Sequence, residues 1–340
     1  MEQITTIGLD IAKHIFQVHG VDAAGNVVLK RRLRRVEVLA FFAKLPSAVI
    51  GVEACATSHY WARELSALGH TVKLMPPHYV KPYVKRQKND MTDAAAICEA
   101  VTRPSMRFVP VKSEVQQAVL MLHRSRELLV RQRTMLVNAL RAHLAEFGMV
   151  MKQGKAGAAA AASLVHDAEN GALAPAVREA LLPLVELLGQ TEERVARLEQ
   201  CIVDWHKSNP ASQRLASIPG IGPITASAIV ATITDARLFS SGRHLAAWLG
   251  LVPRQNSSGG KERLGGITKK GDGYIRKLLV IGANAVLRFA RKGSASSTLW
   301  ANSLLMRKPH KVVAVALANK MARISWALLA RNEAFRPKTA

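Results

Sequence analysis

Cysteine is nearly absent: three residues in 340, Cys55, Cys98 and Cys201, far apart and without a C-x-x-C pair. That excludes a disulfide framework and the common zinc sites, and leaves three thiols expected to be buried, reduced and structural. Aromatic residues are scarce as well, 5% of the chain, which argues against base-stacking platforms as the main grip on nucleic acid. No apolar run approaches the ~20 residues of a membrane span. The first residues enter a strand pattern with no charged-then-apolar leader, so a cytoplasmic protein is expected.

Acids are the third shortage. Lys and Arg number 48 against 24 Asp and Glu, a formal charge of +24 that no single block of residues carries. The default partner of such a chain is nucleic acid, gripped first through phosphate. A basic membrane-surface protein is the weaker alternative.

The chain is long enough for two domains and a helical connector. Short strands are expected at Ile4–Ile11, Ile15–Val21 and Val27–Leu33, forming an antiparallel meander with a turn at 22–26. Then follow a helix over 36–45, a strand over 48–53, a helix over 59–68 and a strand over 71–75. Strands alternating with helices after a meander imply a mixed sheet covered on both faces. Pro76-Pro77 ends that run. Lys81, Lys85, Arg86 and Lys88 make the next loop basic, and a helix spans about 90–101.

From Ser113 to Phe147 there is no proline, and Met121/Leu122, Leu128/Leu129 and Met135/Leu136 recur seven residues apart, a coiled-coil-like seam. Arg124, Arg126, Arg131, Arg133 and Arg141 lie off or beside it, either facing a polyanion or simply solvated on a bundle helix. The Ala/Gly-rich stretch 154–162 and the turn signal Glu169-Asn170-Gly171 are read as a domain connector. A helix over about 176–205 returns alongside the first, with Pro183 expected to kink or break it. From about Gln213 the chain is mostly helical, interrupted by a Gly/Ser/Lys-rich loop at 253–273.

Against the shortage of acids, their placement is informative. Ile7-Gly8-Leu9-Asp10 recurs in kind as Ile50-Gly51-Val52-Glu53. Strand alternation sets each acid on the face of its glycine, whose missing side chain leaves room. An acid closing an apolar strand is costly unless something needs it there. Asp90 and Asp93 share one face at a helix start. Four mutually repelling carboxylates make sense around divalent cations, Mg²⁺ or Mn²⁺, which could serve phosphodiester displacement. Taken singly, Glu53 or Asp93 is better explained as a cap or an exposed strand-end acid; taken jointly, in a chain this basic and with this strand order, the acids favour a metal site.

Two later motifs concern phosphate. The loop Gln255-Asn256-Ser257-Ser258-Gly259-Gly260-Lys261, continuing through Arg263, Lys269 and Lys270, suits close backbone approach and phosphate binding. A serine there could attack phosphorus, but no histidine adjoins it in sequence, so on the residues alone a phosphate-gripping loop without covalent chemistry is the better fit. Ile218-Pro219-Gly220-Ile221-Gly222-Pro223 could turn backbone N–H groups toward phosphate or serve as a plain helix connection.

The strand-end acids, the Asp90-x-x-Asp93 pair and the Pro-x-x-x-Ser-Ser-Gly loop, in that order over essentially the whole chain, resemble the DEDD transposases of bacterial insertion sequences, relatives of the Piv/MooV DNA invertases. The resemblance implies an N-terminal RuvC-like domain of the ribonuclease H type, α/β with a mixed sheet, over 1–110. A long helical coiled-coil-like connector over 111–209 and a mostly α C-terminal domain over 210–340 follow, the latter with a helix-hairpin-helix-like element at Pro219–Ala226. By position the Mg²⁺-binding acids of the family match Asp10, Glu53, Asp90 and Asp93. Its nucleophilic serine matches Ser258, with Ser257 as the other register.

The same resemblance implies a covalent protein–DNA intermediate, oligomers (dimer or tetramer) that bring two DNAs together, and in some members a guide RNA transcribed from the element. Serine and acids would then meet in a composite site across subunits. The rival readings are a RuvC-like nuclease using activated water and a non-catalytic nucleic-acid-binding protein.

Overall fold

Five strands build the first unit: β1 (Thr6–Asp10), β2 (Ile15–Val21), β3 (Val27–Arg34), β4 (Val49–Glu53) and β5 (Thr71–Met75). They are seen in a computed structural model that describes residues 3–84, 90–167, 169, 171–290 and 296–336. Lys85, Arg86 and Lys88 of the basic loop and Asn170 of the turn signal lie outside the described residues. The chain divides into two units, Met1–Glu114 and Val115–Ala340.

The sheet order is β3-β2-β1-β4-β5. β1, β2 and β3 pair antiparallel, as the meander required, whereas β1–β4 and β4–β5 are parallel. The turn between β2 and β3 closes on Asp22, whose carboxylate accepts from the backbone N–H groups of Ala24 (2.9 Å) and Asn26 (2.8 Å), an Asx-type turn. Helices α1 (Val38–Phe42), α2 (Ser58–Ala67), α3 (Pro77–Val80) and α4 (Asp90–Val101) complete the unit. The helix expected over 36–45 is shorter than its apolar pattern, because Arg35–Glu37 winds as a 3₁₀ turn closed by Glu37 on the Arg34 backbone and guanidinium.

Strand alternation sorts the sheet into two faces. Ile7, Leu9, Ile50 and Val52 pack with Phe42 of α1 and with Trp61 and Leu65 of α2. The other face is covered by α3 and α4, where Met75, Val80, Ile97 and Val101 form a second core. Helices on both faces are thus present. β3 is an edge strand, and five of the six residues from Lys30 to Arg35 are basic, so one block does concentrate charge. Charged edges of this kind also discourage strand addition.

Among the described residues, the regular structure of the second unit is helical except for one hairpin. It contains α5 (Glu114–Glu146), α6 (Lys155–His166), α7 (Pro175–Ser208), α8 (Pro210–Ala216), α9 (Pro223–Thr232) and α10 (Gly242–Trp248), then strands β6 (Pro253–Gln255) and β7 (Leu264–Ile267), then α11 (Gly273–Ala290), α12 (Ser296–Leu305) and α13 (His310–Arg331). α5, about 50 Å long at 1.5 Å per residue, has α7 returning antiparallel beside it. Arg126 donates to Glu199 at 2.8 Å toward one end, and Leu140 and Leu144 pack with Leu181 and Val185 toward the other.

Four expectations need correcting here. The Ala/Gly-rich stretch is no linker but α6, because alanine is the best helix former and Ala158, Ala161 and Val165 are buried against α5 and α7. Pro183 lies inside an unbroken α7; it and Glu179, whose carbonyl loses its partner, are both exposed, so water can satisfy that group. The α5 seam is half used within the chain: Leu122, Leu129 and Leu136 are half-buried, but Met121, Leu128 and Met135 are 65%, 48% and 69% exposed. Cys98 is buried, yet Cys55 and Cys201 are exposed, and all three are free.

The C-terminal helices share one core. Its centre is α13, 22 residues long and, against the expectation that no apolar run approaches a span, apolar enough by length and composition to cross a membrane, although 44% of its most apolar stretch is buried inside the protein. Here Val313, Leu317, Met321 and Leu328 are buried against Ile275, Leu279 and Leu287 of α11 and Leu245 of α10.

Candidate active site

In the first unit, parallel pairing sets Gly8 opposite Gly51 and Leu9 opposite Val52. Continuing that offset places Asp10 level with Glu53 at the carboxyl ends of neighbouring strands. The glycines serve a purpose the sequence did not reveal. A Cβ on Gly8 would lie 2.1 Å from the Ala94 carbonyl oxygen and 2.4 Å from the Cys98 nitrogen, and one on Gly51 would lie 2.8 Å from the Val101 Cβ. The space is not left for the acids; α4 occupies it. Backbone contact between β1 and α4 is what carries Asp90 and Asp93, at the start of that helix, toward the strand ends.

The result is electrostatic. Asp10 is half-buried, and its carboxyl is raised from 3.8 to about 6, first by loss of solvent and then by the negative charges of Asp93, Asp90 and Glu53; the Ile11 N–H opposes the shift. So the other three acids all bear on Asp10, and a dication there would relieve both its burial and the repulsion it meets. The donor set, four hard carboxylates, fits Mg²⁺ or Mn²⁺ chemically. Among the described residues no three such side chains converge closely enough to hold an ion as they stand. On the same face, burial pushes the Cys98 thiol up to about 11.

In the second unit the predicted serine loop is the β6–β7 hairpin. Ser258 pairs with Lys261 across Gly259 (φ +57°) and Gly260 (φ +73°), and the Lys261 N–H donates to the Ser258 carbonyl at 3.1 Å. Two consecutive positive φ values match a type I′ turn, a conformation that glycine adopts without strain at both positions. The two serines differ. Ser257 Oγ accepts from the Arg263 N–H at 3.2 Å, whereas the exposed Ser258 hydroxyl has no hydrogen bond among the described residues. Lys261, Arg263, Lys269 and Lys270 are exposed nearby in sequence.

The Gly220-x-Gly222 motif divides between packing and exposure. Gly220 (φ +87°) is pressed against α11, a Cβ there lying 2.8 Å from the Gly282 carbonyl oxygen, while Gly222 is open. Gly220 is therefore a packing glycine in the α8–α9 turn.

A buried polar chain escaped sequence reasoning. His123 of α5, 1% exposed, bonds Ser227 Oγ of α9 at 3.1 Å through Nε2 and the Tyr274 hydroxyl of α11 at 3.0 Å through Nδ1. Burial, then Arg126, holds the imidazole down at about 4, so it is neutral. A lone histidine 151 residues from its partner leaves no local signal.

Comparison with known proteins agrees with this layout. Residues 7–149 match a DEDD transposase family model, and residues 212–297 match the transposase IS116/IS110/IS902 family. A probable family 20 transposase of Pseudomonas aeruginosa is 51% identical, covering 98% of this chain and 99% of its own. The transposase for insertion sequence element IS1328 of Yersinia enterocolitica is 40% identical over 98% and 99%. A pilin gene-inverting protein of Moraxella bovis is 29% identical over 43% of this chain and 44% of its own. The chain belongs to the IS110/IS116 family of insertion-sequence DEDD transposases.

Proposed function

We propose that this transposase cuts and rejoins DNA with Asp10, Glu53, Asp90 and Asp93 holding Mg²⁺ or Mn²⁺ and with Ser258 as the nucleophile toward phosphorus. The observation that carries the reading is the convergence of β1, β4 and the start of α4, which raises the Asp10 carboxyl to about 6. A bound dication would neutralise the carboxylates and offset charge developing on the phosphate oxygens.

The free hydroxyl of Ser258, beside a Ser257 tied to Arg263, favours the Ser258 register. Its attack forms an Oγ–P bond as the P–O bond to the departing strand breaks; the serine proton leaves to a base and the departing oxygen gains one. Attack by a hydroxyl of a second strand end then restores the serine, so the phosphodiester count is unchanged. The basic side chains of the hairpin orient the phosphate.

In this reading residues 1–110 form the RuvC-like catalytic domain, 111–209 the coiled-coil-like connector and 210–340 the serine domain of a cytoplasmic protein. The working form is a dimer or tetramer, for which the exposed half of the α5 seam provides a surface. An element-encoded guide RNA is a partner alongside DNA. The formal charge of +24 suits both.

The test is trapping: incubate the protein with element-end DNA and Mg²⁺, denature, and look for a protein–DNA adduct. Wild type is expected to give one and Ser258→Ala none. Cutting and rejoining by Ser258→Ala at the wild-type rate would end the covalent mechanism. Strand cleavage surviving Asp10→Ala and Glu53→Ala would end the metal-site reading. Sequencing the nucleic acid that copurifies tests for the RNA.

A further inference from the structure

One wall of a large groove in the second unit is the serine hairpin itself. The groove, about 1280 Å³, runs between β6–β7, the start of α10 and the outer face of α13. Its size exceeds the roughly 300–1,000 Å³ of small-molecule pockets, so it suits an extended ligand. Four cations line it, Arg243, Lys311, Lys320 and Arg323, and no carboxylate does. Its floor is apolar, with Leu251, Val315 and Ile324. Trp300 stands at the wall, 38% exposed, with the Lys320 ammonium 4.6 Å from its ring.

A duplex presents phosphates outward and hides its base faces, so it gains nothing from an apolar floor or a partly exposed indole. An unpaired strand offers both matches: base faces to the floor and to Trp300, phosphates to the cationic rim. A second copy of this chain, itself at +24, is a poor occupant of a rim with no acid. We infer that the groove beside the serine hairpin seats unpaired single-stranded DNA, with a base stacked on Trp300 and phosphates held by Arg243, Lys311 and Arg323.

The choice of DNA over RNA rests on the Ser258 reading, since a strand leaving that hairpin runs along its wall. Gly266 supplies a clean probe, because a Cβ there meets nothing within 4 Å and its φ is not positive. Gly266→Leu should obstruct the groove without disturbing the hairpin, and Trp300→Ala should remove the stacking face.

Both changes are made in full-length Ser258→Ala protein, so that the outcome does not depend on covalent chemistry. Fluorescence anisotropy then gives the Kd for a single-stranded DNA oligonucleotide, the same sequence as RNA, and the duplex. The expected result is about tenfold weaker single-stranded DNA binding in each variant, of the size of one lost base stack, with duplex binding within about twofold of the parent. Unchanged single-strand affinity in Gly266→Leu that melts like the parent overturns the proposal. Equal losses on duplex and single strand, or a loss confined to RNA, overturn it as well. The adduct assay on serine-containing protein reports separately on Ser258.

Discussion

Gly8 and Gly51 face each other in register across β1 and β4, and the space both leave is filled by α4. This one close approach decides where two of the four acids lie. Because a Cβ at Gly8 would strike backbone, whereas one at Gly51 would strike the side chains of Val101 and Met75, the two positions differ in tolerance.

Gly8→Ala is expected to destabilise the first unit by about 3 kcal/mol or more, and Gly51→Ala by about 1–2 kcal/mol. Urea denaturation of each variant checks the order. Equal effects would mean that α4 shifts freely and does not fix the acids.

Asp10 makes stability depend on pH. Its carboxyl titrates near 6 in the fold against 3.8 unfolded, so the folded state holds the proton longer. Stability from this group is present below about pH 4 and lost as pH rises to about 6, by up to about 3 kcal/mol less solvent screening. Asp10→Asn should flatten that slope and stabilise the metal-free protein at pH 7, measured by denaturant titration between pH 4 and 7. A steeper slope in the variant would contradict the origin assigned to it.

Mg²⁺ or Mn²⁺ should raise the melting temperature of wild type at pH 7 more than at pH 5, since binding competes with protons on the acids. The increment should vanish in the Asp10→Asn, Glu53→Gln double variant. A melting shift indifferent to both substitutions would place the ion elsewhere.

His123 has the opposite sign. Its imidazole titrates near 4 in the fold against 6.5 unfolded, so its contribution is complete above pH 6.5 and is lost as pH falls to about 4, on the order of 3 kcal/mol. His123→Phe should remove this acid sensitivity and leave the Ser227 and Tyr274 hydroxyls without their shared partner, costing about 2–4 kcal/mol at neutral pH. Unfolding followed at pH 5 and pH 8 separates the two effects.

Ser257→Ala should loosen the hairpin by about 0.5–1.5 kcal/mol through loss of the Arg263 contact while still forming a DNA adduct. Hydrogen exchange at Arg263 and the trapping assay read both consequences. An adduct lost in Ser257→Ala and kept in Ser258→Ala would reverse the register.

Much of the first unit was legible because its signals are local. Alternating apolar residues mark β1 and β4, Asp22-x-x-Gly25 marks a turn, and Asp90–Val101 begins where its acids favour a helix start. Legibility failed where a residue type has two uses. Alanine and glycine in 154–162 resemble a linker in composition, yet the alanines bury into α5 and α7. Pro183 resembles a break, yet it sits on an exposed face of α7 where solvent can reach the carbonyl that loses its bond. The arginines and methionines of α5 could not be sorted into packed and exposed because a helix surface shows its partner only after folding.

Residue chemistry alone pointed to a polyanion partner, to a counter-charge for acids that close apolar strands, and to a glycine loop around Ser257 and Ser258 open to close backbone approach. Only the tertiary structure decided that Asp10 lies level with Glu53, that backbone contact at Gly8 brings Asp90 and Asp93 near, and that Ser257, not Ser258, is tied down. The reason is distance along the chain: residues 43 or 80 positions apart meet through strand pairing and helix packing, and no local periodicity encodes that pairing.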